Sequence, residues 1–413
     1  MSKRLFGLLA VAVVVCIFVT VPAPAQRGGG AQVTLPDGNG KEMVAALCSG
    51  CHNLNMITTG WGYDKRGWEE LINSMVKLPD DTRNTVSTYL GTHFSEKKRP
   101  ATVVVPGTVS VDIKEWVVPS LGSRPHDPLA ASDGSVWWTG MWANVLGRLD
   151  PMTGAMKEFK LKTADSGPHG LTEDKAGNIW YGGNQKGLIG KLDPKTGEVT
   201  EYPMPDPAAR DPHTPLFDHN AQLWFTLQNS QMVGRMNPQT GEIKLLTMPG
   251  RWNPYGMVMT SKGVPVVCMF FTNKIASFDP VTMAMKEYTL PNEGARPRRI
   301  AITSDDMIWY ADYGRGYLGR LNLNTGEVKE WPSPSGPQSQ PYGITASKDI
   351  IWYNESAVRP NTLVRFDPKT EKFQSWIIPS GGSVVRNMMA TKEGNLVMAE
   401  SGVNRVAFVA VKN

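Results

Sequence analysis

From residue 107 onward, short apolar runs alternate with turns rich in Gly, Pro and Asp at a nearly constant period. The clearest marker is an apolar-Trp-aromatic step, found at Trp137, Trp180, Trp224, Val267, Trp309, Trp352 and Val397 and spaced 43, 44, 43, 42, 43 and 45 residues apart. Within each unit, as in GPHGLTEDKAGNIWYGGNQKGLIGKLDPKTGEVTEYPMP (167–205), four short strands fit between the turns. The recurrent Asp-Pro-x-Thr-Gly (Asp150 to Gly154, Asp193 to Gly197, with Asn237 to Gly241 as a variant) joins the third strand to the fourth. Pro fixes the first corner of that turn and Gly accepts positive φ. Seven four-stranded units at this period predict a seven-bladed β-propeller. The seventh copy ends after three strands, and an unassigned strand, Val111 to Val118, precedes the first. That strand is predicted to complete the last blade and close the ring, leaving no open sheet edge.

The chain begins differently. Lys3 and Arg4 lead an apolar stretch from Leu5 to Val21, followed by Ala23-Pro24-Ala25. This is the pattern of a signal peptide over 1–25, predicting a periplasmic or secreted protein, with an uncleaved membrane anchor as the alternative. Helical patterns follow at Gly40 to Ala46, Lys65 to Lys77 and Asp80 to about Leu90. Between them stands Leu47-Cys48-Ser49-Gly50-Cys51-His52-Asn53. Two thiols one helical turn apart suit addition across two vinyl groups, and the adjacent imidazole suits the iron, so Cys48 and Cys51 are predicted to hold a haem c with His52 as an axial ligand. Met75 is the expected sixth ligand. A core methionine in the Trp68-Leu71-Ile72-Met75 stripe is the alternative use of that residue, with Met56, Met43 and His93 as other candidate ligands. The predicted fold class is therefore multidomain: a small all-α cytochrome c domain (38–95), a linker (96–106) and an all-β seven-bladed β-propeller (107–413).

Composition narrows the function. Of four cysteines, Cys16 lies in the signal and Cys268 in an apolar run where it is read as a small buried hydrophobe, so no disulfide framework is available. Removing Lys3 and Arg4 with the signal lowers the formal charge from +5 to +3, which is no basic footprint for nucleic acid. No second segment is long and apolar enough to span a membrane.

Candidate chemistry in the propeller follows from its repeats. The first-strand starts carry His126, His169, His213, Tyr255, Arg298, Tyr342 and Arg386, and the last three second-strand ends carry Asp312, Glu355 and Glu400. Three of the mature chain's six histidines fall in this ring. Its residues either line a ligand site or simply hydrogen-bond neighbouring blades. Arg124, Arg296, Arg298, Arg299 and Arg386 cluster near the mouth, favouring a small anionic ligand or carboxylate, or else are solvated loop residues.

Two resemblances follow from these motifs. The segments CSGCHNLNMI and GWEELINSMV resemble the compact cytochrome c modules fused to periplasmic dehydrogenases and propellers, which implies a methionine ligand at Met75. The repeats, with PHG or PYG, the Trp-aromatic step and IGRLDPxTGEVxEYxxP, resemble the streptogramin (virginiamycin B) lyase propellers across 107–413. That resemblance implies a catalytic histidine in a PHG motif, glutamates that include one just past the Trp-aromatic step, and a bound magnesium. Here His169 has the PHG setting, but the place past Trp180 holds Gly183; Gly140 and Leu227 stand past Trp137 and Trp224. The acid-bearing copies in turn have Arg298, Tyr342 or Arg386 where the histidine should be. Three functions are consistent with the sequence. The first is electron transfer between the haem and a periplasmic redox partner protein, or a substrate oxidised at the propeller. The second is a lyase with a haem appendage, and the third a propeller binding module. Electron transfer is the first expectation, and streptogramin cleavage is not expected.

Overall fold

The computed structural model describes residues 33–50 and 53–412. These divide into two compact units: one comprises residues up to Trp68 together with Pro79–Glu96, the other Glu69–Leu78 together with everything from Lys97 onward.

The larger unit is a seven-bladed, all-β propeller of seven four-stranded antiparallel sheets. Six blades are built from four consecutive strands. In the seventh, Ser110–Val117 pairs with the last strand of the chain, Arg405–Lys412; that strand pairs with Leu396–Glu400, which pairs with Val385–Ala390. This is the closure that the N-terminal strand predicts. The first strands of the blades (Pro125–Ala130, Pro168–Glu173, Pro212–Phe217, Pro254–Met259, Pro297–Ile302, Pro341–Ser347, Val385–Ala390) each touch the next, the last touching the first, and so form the hub.

The blades are held by their marker side chains. Trp137, Trp180, Trp224, Trp309 and Trp352 are buried, and four of them stack on an aromatic of the outermost strand, Phe159, Tyr202, Trp331 and Trp376, at 5.4–5.7 Å between centroids. A buried indole needs an acceptor for its N–H. Trp137 donates to Ser135 (3.0 Å), Trp180 to Asp174 (2.8 Å), Trp224 to Asp218 (2.9 Å) and Trp309 to Thr303 (3.1 Å). In the hairpin turn the carbonyl of Asp150 accepts from Gly154 N–H at 2.8 Å, with Gly154 at φ 78°.

The fourth blade corrects one register. Val267 pairs with Met257 as Phe225 pairs with Pro215, so the residue equivalent to Trp224 is Val266 and the marker lies one position earlier than the apolar pattern predicts. Cys268 then takes the place of Thr139 and Thr226.

The N-terminal expectation is also corrected. Beyond the propeller, the described residues form only the short helices α1 (Lys41–Ser49), α2 (Asn55–Thr58), α3 (Lys65–Met75) and α4 (Asp80–His93). They do not form the compact all-α cytochrome domain predicted for 38–95, because the apolar stripe of α3 is divided. Trp68 groups with α1 and α4 and donates its indole N–H to the Phe94 carbonyl at 3.0 Å. Residues 69–78 group with the propeller strands, and the Ser74 carbonyl accepts from Gly122 N–H at 2.8 Å. The signal sequence with Cys16, and Cys51 and His52 of the haem motif, lie outside the described residues. Among the described residues no helix is long and apolar enough to cross a membrane.

Candidate functional site at the propeller hub

In every blade the pairing of first and second strands shifts register next to the first residue of the inner strand, which is Pro in six blades and Val385 in the seventh. Such a bulge redirects a side chain at a strand end. The following residue, the ring position identified in the sequence, thereby enters the hub. In four blades the bulged N–H of the next residue is met from the second strand: Asp127 N by Thr139 Oγ1 (3.0 Å), Thr214 N by Thr226 Oγ1 (3.2 Å), Gly256 N by Cys268 Sγ (3.2 Å) and Gly343 N by Asn354 Oδ1 (2.7 Å). Thr139, Thr226 and Cys268 also donate to the carbonyls of His169 (2.6 Å), Tyr255 (2.9 Å) and Arg298 (2.9 Å) in the next blade. Cys268 is therefore a polar tie between blades as well as a buried side chain, and burial pushes its thiol up to about 12.

Most of the ring meets at the centre. His126 and His169 lie 3.6 Å apart between ring centroids, His169 and His213 3.8 Å, and His213 and Tyr255 4.1 Å. The hydroxyls of Tyr255 and Tyr342 are 2.6 Å apart. Arg298 lies over Tyr342 at 3.8 Å and over Tyr255, Phe270 and Tyr313 at 5.1, 4.7 and 4.5 Å. The histidines and tyrosines are buried, whereas Arg124, Arg298 and Arg386 are partly exposed, so the guanidiniums form the open end and the rings the floor.

The residue after the ring position adds what the sequence reading misses. Asp127, buried in blade 1, accepts from Arg299 of blade 5 (2.7 Å) and from Asn387 of blade 7 (3.2 Å), and lies 2.9 Å from His126 Nδ1. The available signal is that this position carries charge in two repeats, of opposite sign.

The acids at the second-strand ends are committed to loops. Glu355 accepts from Ser333 (2.7 Å), Ser335 N (2.8 Å) and Thr362 (2.6 Å). Asp312 accepts from the amides of Arg296, Gly314 and Arg315 at 2.9–3.2 Å. Glu400 accepts from Ser380 at 3.3 Å, and burial, with Glu115 beside it, holds its carboxyl well above the usual range. Arg296 is spent on the carbonyls of Glu293 and Ala295.

Electrostatics follow from this crowding. Burial lowers all three histidines well below their ordinary range, helped by Arg386 and Arg299 at His126, by His126 at His169 and by His169 at His213. They are neutral at physiological pH. Burial, then Arg386, lowers even Arg124, to about 9. For Tyr342 burial alone would raise the phenol, but Arg298, Arg386 and Arg299 outweigh it and bring it down to about 8. Its partner Tyr255 is pushed up by burial. His126, Asp127 and His169 offer three ligand atoms within 4.8 Å of one another. Magnesium, which prefers oxygen ligands, does not fit this set, because its single carboxylate already pairs with Arg299 and further guanidiniums surround it.

The remaining candidates lie in the N-terminal part. Cys48 is near the end of α1, Met43 and Met56 are exposed on α1 and α2, and His93 ends α4 with its ring 4.6 Å from Tyr89. Met75 ends α3 and belongs to the unit that contains the propeller.

A search of curated proteins returns no match. Among solved structures, a streptogramin B lyase is 26% identical and superposes with a TM-score of 0.66, covering 73% of this chain and 98% of that one. The virginiamycin B lyase of Staphylococcus aureus, 21% identical, gives the same TM-score over 73% and 99% of the two chains. So does a catalytically inactive variant of that enzyme with quinupristin, 20% identical, over the same shares. These last two likenesses speak for the fold. The model of the virginiamycin B lyase family matches residues 100–277 and 250–413, so the match takes in every blade and the whole hub, and the chain belongs to the virginiamycin B lyase family.

Proposed function

We propose that the hub is a lyase-type site in which Tyr342 accepts a proton from a substrate carbon. The observation that carries this reading is the Tyr255–Tyr342 hydroxyl pair at 2.6 Å beneath Arg298. The surrounding guanidiniums hold the Tyr342 phenol below its ordinary range, which suits a general base. The step balances as an elimination: the C–H bond breaks with its proton going to the Tyr342 phenolate, the electron pair forms a C=C bond, and the C–O bond breaks with oxygen leaving as carboxylate. Tyr255 donates to the phenolate beforehand, and the guanidiniums of Arg298 and Arg386 stabilise the negative charge that develops next to the carbonyl. His169 Nδ1 and His213 Nε2, buried and without a protein partner, are donors or acceptors left for the substrate.

The test uses two substrates with mass-spectrometric readout: a streptogramin B depsipeptide and a β-acyloxy dicarboxylic acid. The reading predicts elimination from the second and no ring opening of the first, with or without magnesium. Magnesium-dependent ring opening that is lost in His169→Ala would transfer the base role to His169. No elimination from the acyloxy acid would overturn the reading.

A second reading concerns the N-terminal segment, where Met43 and Leu47 stand exposed on the same helix as Cys48. We propose that Cys48 and Cys51 hold a covalent haem c, with His52 on its iron; the two thiols and the imidazole are the donor set this group requires. Such a haem, when bound, exchanges single electrons with a periplasmic redox partner. Cys48→Ala combined with Cys51→Ala is expected to remove haem stain from a denaturing gel while leaving the propeller's circular dichroism unchanged. Stain that persists would refute the attachment.

A further inference from the structure

Arg124, Arg298, Arg299 and Arg386 all act on the same few groups at the hub: His126 feels all four, and Tyr342 feels three of them. The carboxylate that meets them is Asp127, and it is taken by Arg299 across the channel. The other acids of the ring are held by their own loops, Glu355 by Ser333, Ser335 and Thr362, Asp312 by Arg315 and the neighbouring amides, and Glu400 by Ser380. With the three histidines neutral, four guanidiniums face one carboxylate, and among the described residues Arg124, Arg298 and Arg386 have no carboxylate partner. Like charges brought together without opposite partners are costly, the more so where solvent reaches them only in part.

An independent observation shows where compensation belongs. Buried nitrogens without hydrogen-bond partners converge on the hub: Nε of Arg298, Arg299 and Arg386, Nδ1 of His169 and Nε2 of His213. His169, His213 and Arg299 are themselves at most 3% exposed. Buried polar atoms left unpaired in this way are rare in folded proteins unless something binds them.

We infer that the hub takes a small dianion, carrying two carboxylates or one phosphate, and that Arg124, Arg298 and Arg386 at the open end select it over singly charged and neutral molecules. Planar guanidiniums suit either group, since each can bridge two oxygens. Asp127 holds Arg299 at the floor, so that the charge offered to the ligand comes from the other three. This inference rests on the hub being the site of the proposed reaction but does not need Tyr342 to act as a base.

The test is calorimetric titration of the full chain with succinate, inorganic phosphate and acetate at matched ionic strength. Succinate or phosphate is expected to bind at least about tenfold more tightly than acetate, and whichever does so identifies the group. Arg124→Gln and Arg386→Gln should each weaken that dianion by about tenfold, whereas Arg→Lys at either position restores part of the affinity. Circular dichroism of each variant separates lost binding from lost fold. Acetate binding as well as both dianions, or neither dianion binding, would overturn the inference. Dianion binding without elimination from the acyloxy acid would leave it standing and remove only the lyase reading.

Discussion

Replacing Asp127 by Ala is expected to lower the unfolding free energy by about 3–5 kcal/mol, the cost of breaking a buried ion pair by removing one partner. Asp127 and Arg299 are each 4% exposed at the side chain and are joined at 2.7 Å across the hub. The carboxylate is also next to His126 and receives Asn387, so its loss strands three polar groups at once. Because the bonds link blades 1, 5 and 7, the effect should fall on closure of the whole ring, not on one sheet. Denaturant midpoints measured by tryptophan fluorescence check this. The double variant Asp127→Ala with Arg299→Leu should recover much of the loss, since no unpaired charge then remains. A single variant as stable as the wild type would show that the bridge does not hold the hub.

Tyr342→Phe should reduce the elimination rate by about 10²–10⁴-fold, the usual contribution of a positioned general base. The wild-type rate should rise with pH through a midpoint near 8, because the reacting form is the phenolate. The variant's residual rate should not follow that profile. KM should change little, since the guanidiniums that hold the anion are untouched, while kcat falls. The fold should survive: the ring remains in the hub and Tyr255 loses one hydrogen bond, worth about 1 kcal/mol.

Most blades are legible in the sequence because five carry a buried Trp at the marker position and several an Asp-Pro-x-Thr-Gly turn or a close variant. Where the Trp is missing, at Val266, the uninterrupted run from Val264 to Phe271 offers no landmark, and the apolar pattern places the register one residue late. The ring of His126, His169, His213, Tyr255, Arg298, Tyr342 and Arg386 is readable since a Pro precedes most of these positions and the bulge beside it aims all of them inward. The Asp127–Arg299 bridge joins residues 172 positions apart in different blades, and no local pattern announces such a pair. Asp312, Glu355 and Glu400 look like partners for the histidines, but the second-strand end hands its side chain to the adjoining loop. At the N-terminus the helical periodicity of α3 is visible, whereas which neighbours its two halves choose is not.

The most direct measurement of the central claim needs no substrate. The chain has 11 tyrosines, and an unperturbed phenol ionises near ~10. Burial raises Tyr181, Tyr255, Tyr310 and Tyr353 further, while the guanidiniums bring Tyr342 down to about 8. A spectrophotometric titration of the phenolate band should therefore show one tyrosine equivalent ionising around pH 8, well ahead of the rest, and Tyr342→Phe should lack that step. Succinate or phosphate bound at the hub should move the step upward by neutralising the guanidiniums. Superimposable titrations of wild type and Tyr342→Phe, with no tyrosine ionising before the main transition, would contradict the account.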